Sequence, residues 1–262
     1  ALTALDLRFG ALVIDAARFV PQSRPRVFVV ALDDRIDPSP WEEPCPRESV
    51  WGTKALWRAW GDLPLALQAR WVWWRLPAPT APLVPIDAII EAEPSGVAWH
   101  SGAETARLLA LMSPRNRAKV DAVRRAPGQR VGFLYKRTRQ GQQRAEVRFD
   151  GRAGCLRTAT GGSSRQTVVV VDDGGIRTRL LSPREAARLM GLDDDFALPP
   201  GYNDAYHAMG DGVVVPVVRW LGDRLLTPLA LSLPAPRSDP ATPGATPTPL
   251  ATPVATARSR SG

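Results

Sequence analysis

The 262-residue sequence holds only two cysteines, Cys45 and Cys155, and two histidines, His100 and His207. Two cysteines are too few for a disulfide framework and suit a reducing compartment, so a cytoplasmic location is expected. No C-x-x-C or H-x-E pattern is present, which argues against a zinc site, and no metal is expected. There is no apolar run long enough to span a bilayer and no recognisable signal-peptide pattern, so a membrane partner is not expected either.

Positive charge, by contrast, is plentiful. The formal net charge is +8 and the sequence pI is about 10.4. It is also unevenly placed. Residues 101–165 carry fifteen Lys and Arg against four Asp and Glu, a local excess of +11, while the remainder sums to −3. Such concentration points to an anionic partner, and to nucleic acid in particular.

Along the chain, GALVID (10–15) and RVFVVAL (26–32) read as two nearly fully buried strands at the trailing edge of an α/β sheet. Residues 33–50 are acidic and proline-bearing and read as an irregular connection. Residues 41–74 then carry seven of the nine tryptophans, which suits an aromatic core or, alternatively, a base-stacking surface. Short helices are expected at 101–112 and 114–123, the first capped by Ser101. A hairpin turning near Gly141 and a strand at 167–171 follow. Ser182-Pro183-Arg184-Glu185 forms a capping box with Gly191 as the stop, and a second helix is expected from about 214 to 226. From Pro228 onward there are eight prolines and no aromatics, a composition that cannot bury enough surface to fold.

Three places carry candidate chemistry. In Q-x-R-x-R (Gln22, Arg24, Arg26), two arginines two apart before a strand put both guanidinium groups on one side of a sheet edge, able to grip a phosphate or carbonyl, or else form an ordinary strand entry with solvated arginines, which the short motif alone favours. Gly210-Asp211-Gly212 reads as a turn opening a helix, with Asp211 either facing a ligand or serving as its N-cap. The loop CLRTATGGSSRQ (155–166) offers donors and acceptors around Gly161 and Gly162, and suits contact with base edges or phosphates, or else an ordinary surface hairpin. Cys45, His100 and His207 are not catalytic candidates.

Taken in order, these motifs resemble the C-terminal half of a DNA cytosine-5 methyltransferase. Gln22, Arg24 and Arg26 match its Q-x-R-x-R strand; Arg179, Leu181, Ser182, Arg184, Glu185, Arg188 and Gly191 match its R-x-L-[ST]-x-R-E-x-A-R-L-x-G helix. Gly210, Val213, Pro216 and Val217 match G-N-S-V-x-x-P-V, with Asp211 and Gly212 where Asn and Ser are usual. The resemblance implies an α/β fold: the trailing part of a Rossmann-like methyltransferase domain with an inserted mixed, strand-containing target-recognition domain. It divides the chain into the end of the catalytic domain (1–32), the recognition domain (33–175), C-terminal helices returning to the catalytic domain (176–227) and a disordered tail (228–262).

It further implies methylation of a flipped cytosine at C5 with S-adenosyl-L-methionine, on double-stranded DNA. Arg24 and Arg26 would position the cytosine and its phosphate, and Asp211 and Gly212 would close one side of the cofactor pocket. Arg184 and Glu185 would organise the recognition domain against the catalytic one. Arg157, Thr158, Gly161, Gly162, Ser163, Ser164 and Arg165 would touch DNA. The family's F-x-G-x-G, Pro-Cys-Gln and Glu-Asn-Val motifs are absent from this sequence, and Cys45 lies on the wrong side of Q-x-R-x-R to replace the nucleophile. The expectation is therefore a chain inactive alone, either a fragment or the smaller subunit of a split enzyme, completed by a half that carries the nucleophile. The alternative is a non-catalytic duplex-DNA-binding module.

Overall fold

The computed structural model describes residues 7–45, 49–80, 83–139, 141–158 and 165–233. Strand β1 (Leu7–Asp15) pairs antiparallel with β2 (Pro25–Asp33), in a register that sets Leu12 against Phe28. Asp15 shapes the connection: its carboxylate accepts from the N–H of Ala17 at 3.0 Å and of Arg24 at 2.8 Å. β1 is buried as expected, but β2 is not. Val27 and Val29 are 62% and 59% exposed, while Phe28 and Val30 on the opposite face pack against the core. Strand alternation sends every second residue to one face, and no described residue covers that face of β2.

The outer edge of β1 is taken by the tryptophan-rich segment. Phe9 exchanges backbone bonds with Arg70 and Val72, and the Val13 N–H reaches the Trp51 carbonyl at 2.9 Å. Close approach requires Gly10, where a Cβ would lie 1.9 Å from the Val72 carbonyl oxygen. Helices α1 (Lys54–Gly61) and α2 (Leu65–Gln68) follow, with Thr53 capping the first. Trp51 and Trp74 are buried, and Trp51 bonds the Leu76 carbonyl and tilts onto Trp220 at 4.9 Å. Trp60, Trp71 and Trp73 pack on one another at 5.4–5.6 Å, an aromatic core rather than a row of open faces.

After α3 (Ile86–Ile89) come α4 (Gly102–Ala110), with a Ser101–Glu104 capping box, and α5 (Pro114–Arg124), capped by Ser113. Both lie where helices are expected. They cover one face of an antiparallel sheet ordered β4-β3-β5-β6. Its strands are β3 (Arg130–Arg139), β4 (Gln142–Arg148), β5 (Thr167–Asp172) and β6 (Gly175–Leu180). The expected hairpin is present, with Gly141 at a φ of +73°. The other face, through Phe133, Val168 and Val170, joins the core that also holds Leu12, Leu181 and Tyr206.

The C-terminal elements are α6 (Pro183–Leu189), α7 (Tyr202–Asp211) and α8 (Val215–Leu221), then a π turn (Gly222–Leu226) and α9 (Thr227–Leu231). Two expected boundaries move. A division at 175 would cut the β5–β6 hairpin, whose register runs from Asp172 against Gly175 to Thr167 against Leu180. The tail does not begin at 228 either, because Pro228 fits the first turn of α9 and Leu229 is buried. Residues 234–262 lie outside the described residues. No helix among the described residues is long and apolar enough to cross a membrane.

Candidate functional site

The three candidate motifs meet. Gln22 is fully buried: its amide donates to the Leu189 carbonyl at 2.8 Å and accepts from the Leu156 N–H at 3.1 Å. It therefore joins the end of α6 to the start of the 155–166 loop. Arg24, only 3% exposed, does the same for α7. Its Nη1 donates to the Leu156 carbonyl at 2.7 Å, and its Nη2 to the Gly210 and Gly212 carbonyls, both at 2.7 Å. Burial pushes the Arg24 guanidinium below its usual pKa, an effect the nearby Cys155 partly opposes.

In this geometry the Nη donors of Arg24 hold three backbone carbonyls, so it serves as a tie, and its side chain also lines the cavity beside β2. Arg26 differs. It is exposed, donates to the Pro25 carbonyl at 2.9 Å, and brings Nη2 to 3.5 Å from the Cys155 Sγ. Arg24 Nη1 approaches the same sulfur at 3.7 Å, so both guanidinium groups do lie on one side, as the spacing indicates.

The Gly-Asp-Gly segment is also placed differently. Gly210 and Asp211 end α7 rather than opening α8, and α8 starts from Val214 with no side-chain cap. Asp211 is thus not an N-cap. The reason is packing: a Cβ on Gly210 would lie 2.8 Å from the Thr158 backbone nitrogen, and the Gly212 N–H is already bonded to the Ala208 carbonyl. The chain then runs extended from Gly212 to Val214 before α8.

A cavity of about 520 Å³ lies between β2 and this segment. Arg26, Val27 and Val29 line one side, and Asp211, Gly212 and Val213 the other. Its volume lies in the range of small-molecule sites, with a largely apolar wall and three charged residues, Arg24, Arg26 and Asp211.

Of the loop residues expected at DNA, Arg157 is exposed and Thr158 packs its backbone against Gly210. Gly161, Gly162, Ser163 and Ser164 lie outside the described residues. Arg165 stacks over Tyr202 at 5.3 Å and bonds the Asn203 Oδ1. Arg184 is half-buried and bonds the Asp193 and Phe196 carbonyls, whereas Glu185 is fully buried against Arg179 at 2.6 Å and docks α3 through the Glu91 N–H at 2.8 Å.

Sequence reasoning missed the Cys155 thiol between two arginines and a second concavity of about 760 Å³ beside α4. The signal for the second was present in the change from apolar to polar residues along one hairpin face. No group of His, Cys, Asp and Glu among the described residues could hold a metal.

Comparison with known proteins adds identity to this geometry. The family model for C-5 cytosine-specific DNA methylases matches residues 96–227. The chain is 42% identical over 57 residues to the Type II methyltransferase M.NlaIV of Neisseria lactamica, covering 22% of this chain and 13% of that protein. It is 33% identical over 61 residues to M.SsoII of Shigella sonnei, covering 23% of this chain and 16% of that one. The matched stretches are thus a small part of these relatives' own length. Among solved structures, the Entamoeba histolytica methyltransferase EhMeth aligns with 85% of this chain and 54% of its own at 10% identity, with a TM-score of 0.45.

Proposed function

The chain belongs to the C-5 cytosine-specific DNA methylase family, of α/β methyltransferase fold, and on that premise we propose that it recognises the target and closes the pocket of an enzyme that methylates C5 of cytosine in duplex DNA. The observation that carries this reading is the Arg24 tie. One buried guanidinium holds the start of the recognition loop, through Leu156, and the pocket wall, through Gly210 and Gly212. Docking of the loop on DNA and the shape of the cavity are thereby fixed to one another. Such pre-positioning is what a reaction on an extruded base requires.

Within the cavity, Arg26 is the cation placed to bond a cytosine carbonyl or its phosphate. S-adenosyl-L-methionine supplies an electrophilic methyl group when bound, and the apolar wall with its carboxylate fits one side of it. Asp211 and Gly212 would hold that side, with Val213 beside them. The remaining contacts and the nucleophile must come from outside these residues, because the sequence carries no Gly-rich cofactor motif and no Pro-Cys-Gln. The open face of β2 is where a preceding half or a partner subunit would pack.

Incubating the purified chain with duplex DNA and labelled S-adenosyl-L-methionine tests this. No transfer is expected from the chain alone, and transfer is expected once a cysteine-bearing half is supplied. Robust methylation by the chain alone would overturn the reading. DNA binding that gains nothing from any such half would favour the non-catalytic module, which the missing nucleophile motif also accommodates.

A further inference from the structure

The β3–β4 hairpin is longer than the helices that cover it. On one face, Leu134, Ala145 and Val147 are buried under α4 and α5 together with Val169 and Val171. Lys136 and Gln143 continue the same face, since Lys136 pairs with Ala145 and Gln143 with Thr138, and alternate residues share a side. Where the apolar strip ends, these two side chains floor a groove of about 760 Å³. Arg107, Leu108 and Leu111 form its wall on one stripe of α4, and Arg165 lies at one end.

The groove holds more cations than carboxylates, with Arg107, Lys136 and Arg165 against Glu104. Its carboxylate, Glu104, is turned to the helix cap, where Oε2 accepts from the Ser101 N–H and hydroxyl, each at 2.8 Å. Arg165 is held in place by Tyr202 and Asn203, and its buried Nε has no partner among the described residues. Gln143 is exposed, and its carboxamide bonds no described residue.

We propose that this groove seats duplex DNA, with Arg107 and Lys136 neutralising phosphates and Gln143 reading an adenine edge. Phosphate contacts fix position without carrying sequence, whereas a carboxamide can bond N6 and N7 of adenine together. The proposal rests on the DNA-methylase reading above and assigns it a specificity residue.

Selection from a random-sequence duplex pool by the full chain, repeated at several salt concentrations, tests both levels. Gln143→Ala should lose preference at one A·T pair, a discrimination of roughly 5- to 150-fold. Arg107→Ala should weaken binding to all duplexes alike and reduce the salt slope by about 1. Arg124→Ala, on α5 outside the groove, should leave the preference unchanged. A wild-type chain that binds DNA while the groove variants match it overturns the groove and leaves the methylase reading standing. A wild-type chain that binds no duplex even at low salt overturns both. Weaker binding by Gln143→Ala with its sequence preference intact overturns the adenine assignment.

Discussion

A guanidinium offers five N–H donors in a planar fork, and Arg24 spends its Nη donors on three carbonyls, of which that of Leu156 also accepts from the Cys155 thiol. Removing such a group leaves buried acceptors unpaired, so Arg24→Ala is expected to cost about 3 kcal/mol of stability. Arg24→Lys should recover little of that, since an ammonium is a point charge and cannot span the same carbonyls. Arg26→Ala should change stability by less than about 0.5 kcal/mol, being an exposed side chain. Urea unfolding midpoints separate the two positions, and an unchanged midpoint for Arg24→Ala would show that the tie carries no load. The pair also shows how one spacing serves two tasks: burial, and not charge, decides which arginine is free to meet a ligand.

Among the elements, α6 is the one whose start is most completely specified. The Glu185 carboxylate closes the capping box at Ser182 and accepts two bonds from Arg179, at 2.6 and 2.7 Å, with neither side chain exposed. The same carboxylate takes the Glu91 N–H, so the helix cap is also the seat of α3. Glu185→Gln would leave Arg179 charged, buried and uncompensated, at a cost of about 3–5 kcal/mol. Thermal unfolding should show a large loss, far beyond the ~1 kcal/mol expected from Ser101→Ala at the exposed cap of α4. Comparable losses from the two variants would mean that Glu185 acts as a cap alone.

Across the whole molecule, the three tyrosines report on folding as a unit. Burial, first among the causes, raises the pKa of Tyr135, Tyr202 and Tyr206 above the usual value. Unfolded phenols ionise near pH 10, roughly. The folded state therefore holds its phenolic protons more tightly; the resulting stability is complete below that pH and is lost as pH rises through the folded values. Alkaline titration should show no separate tyrosinate rise near pH 10, but one delayed rise together with loss of tertiary circular dichroism. Ionisation near pH 10 with tertiary structure intact would contradict the burial of these rings. At the same scale, the two strands of the β1–β2 pair are unevenly covered. The tryptophan segment covers the outer edge of β1, whereas β2 leaves Val27 and Val29 open beside the cavity. That apolar strand face is where the proposed completing half would pack.

The sequence by itself determined the local elements. Ser101 and Ser182 announce helix starts and Gly141 a hairpin, because caps and turns depend on residues a few positions apart. The order of Q-x-R-x-R, the Ser182 helix and the Gly210 segment also sufficed to indicate the family. Tertiary structure alone decided how those residues are used. The bonds that bury Arg24 join it to residues 132, 186 and 188 positions away, so no local pattern could show that its donors are taken. The contact of Gly210 with Thr158 placed Asp211 at the end of α7, and strand pairing left one face of β2 open. Solvent exposure and donor occupancy depend on what the rest of the chain brings alongside, and only packing at long range specifies that.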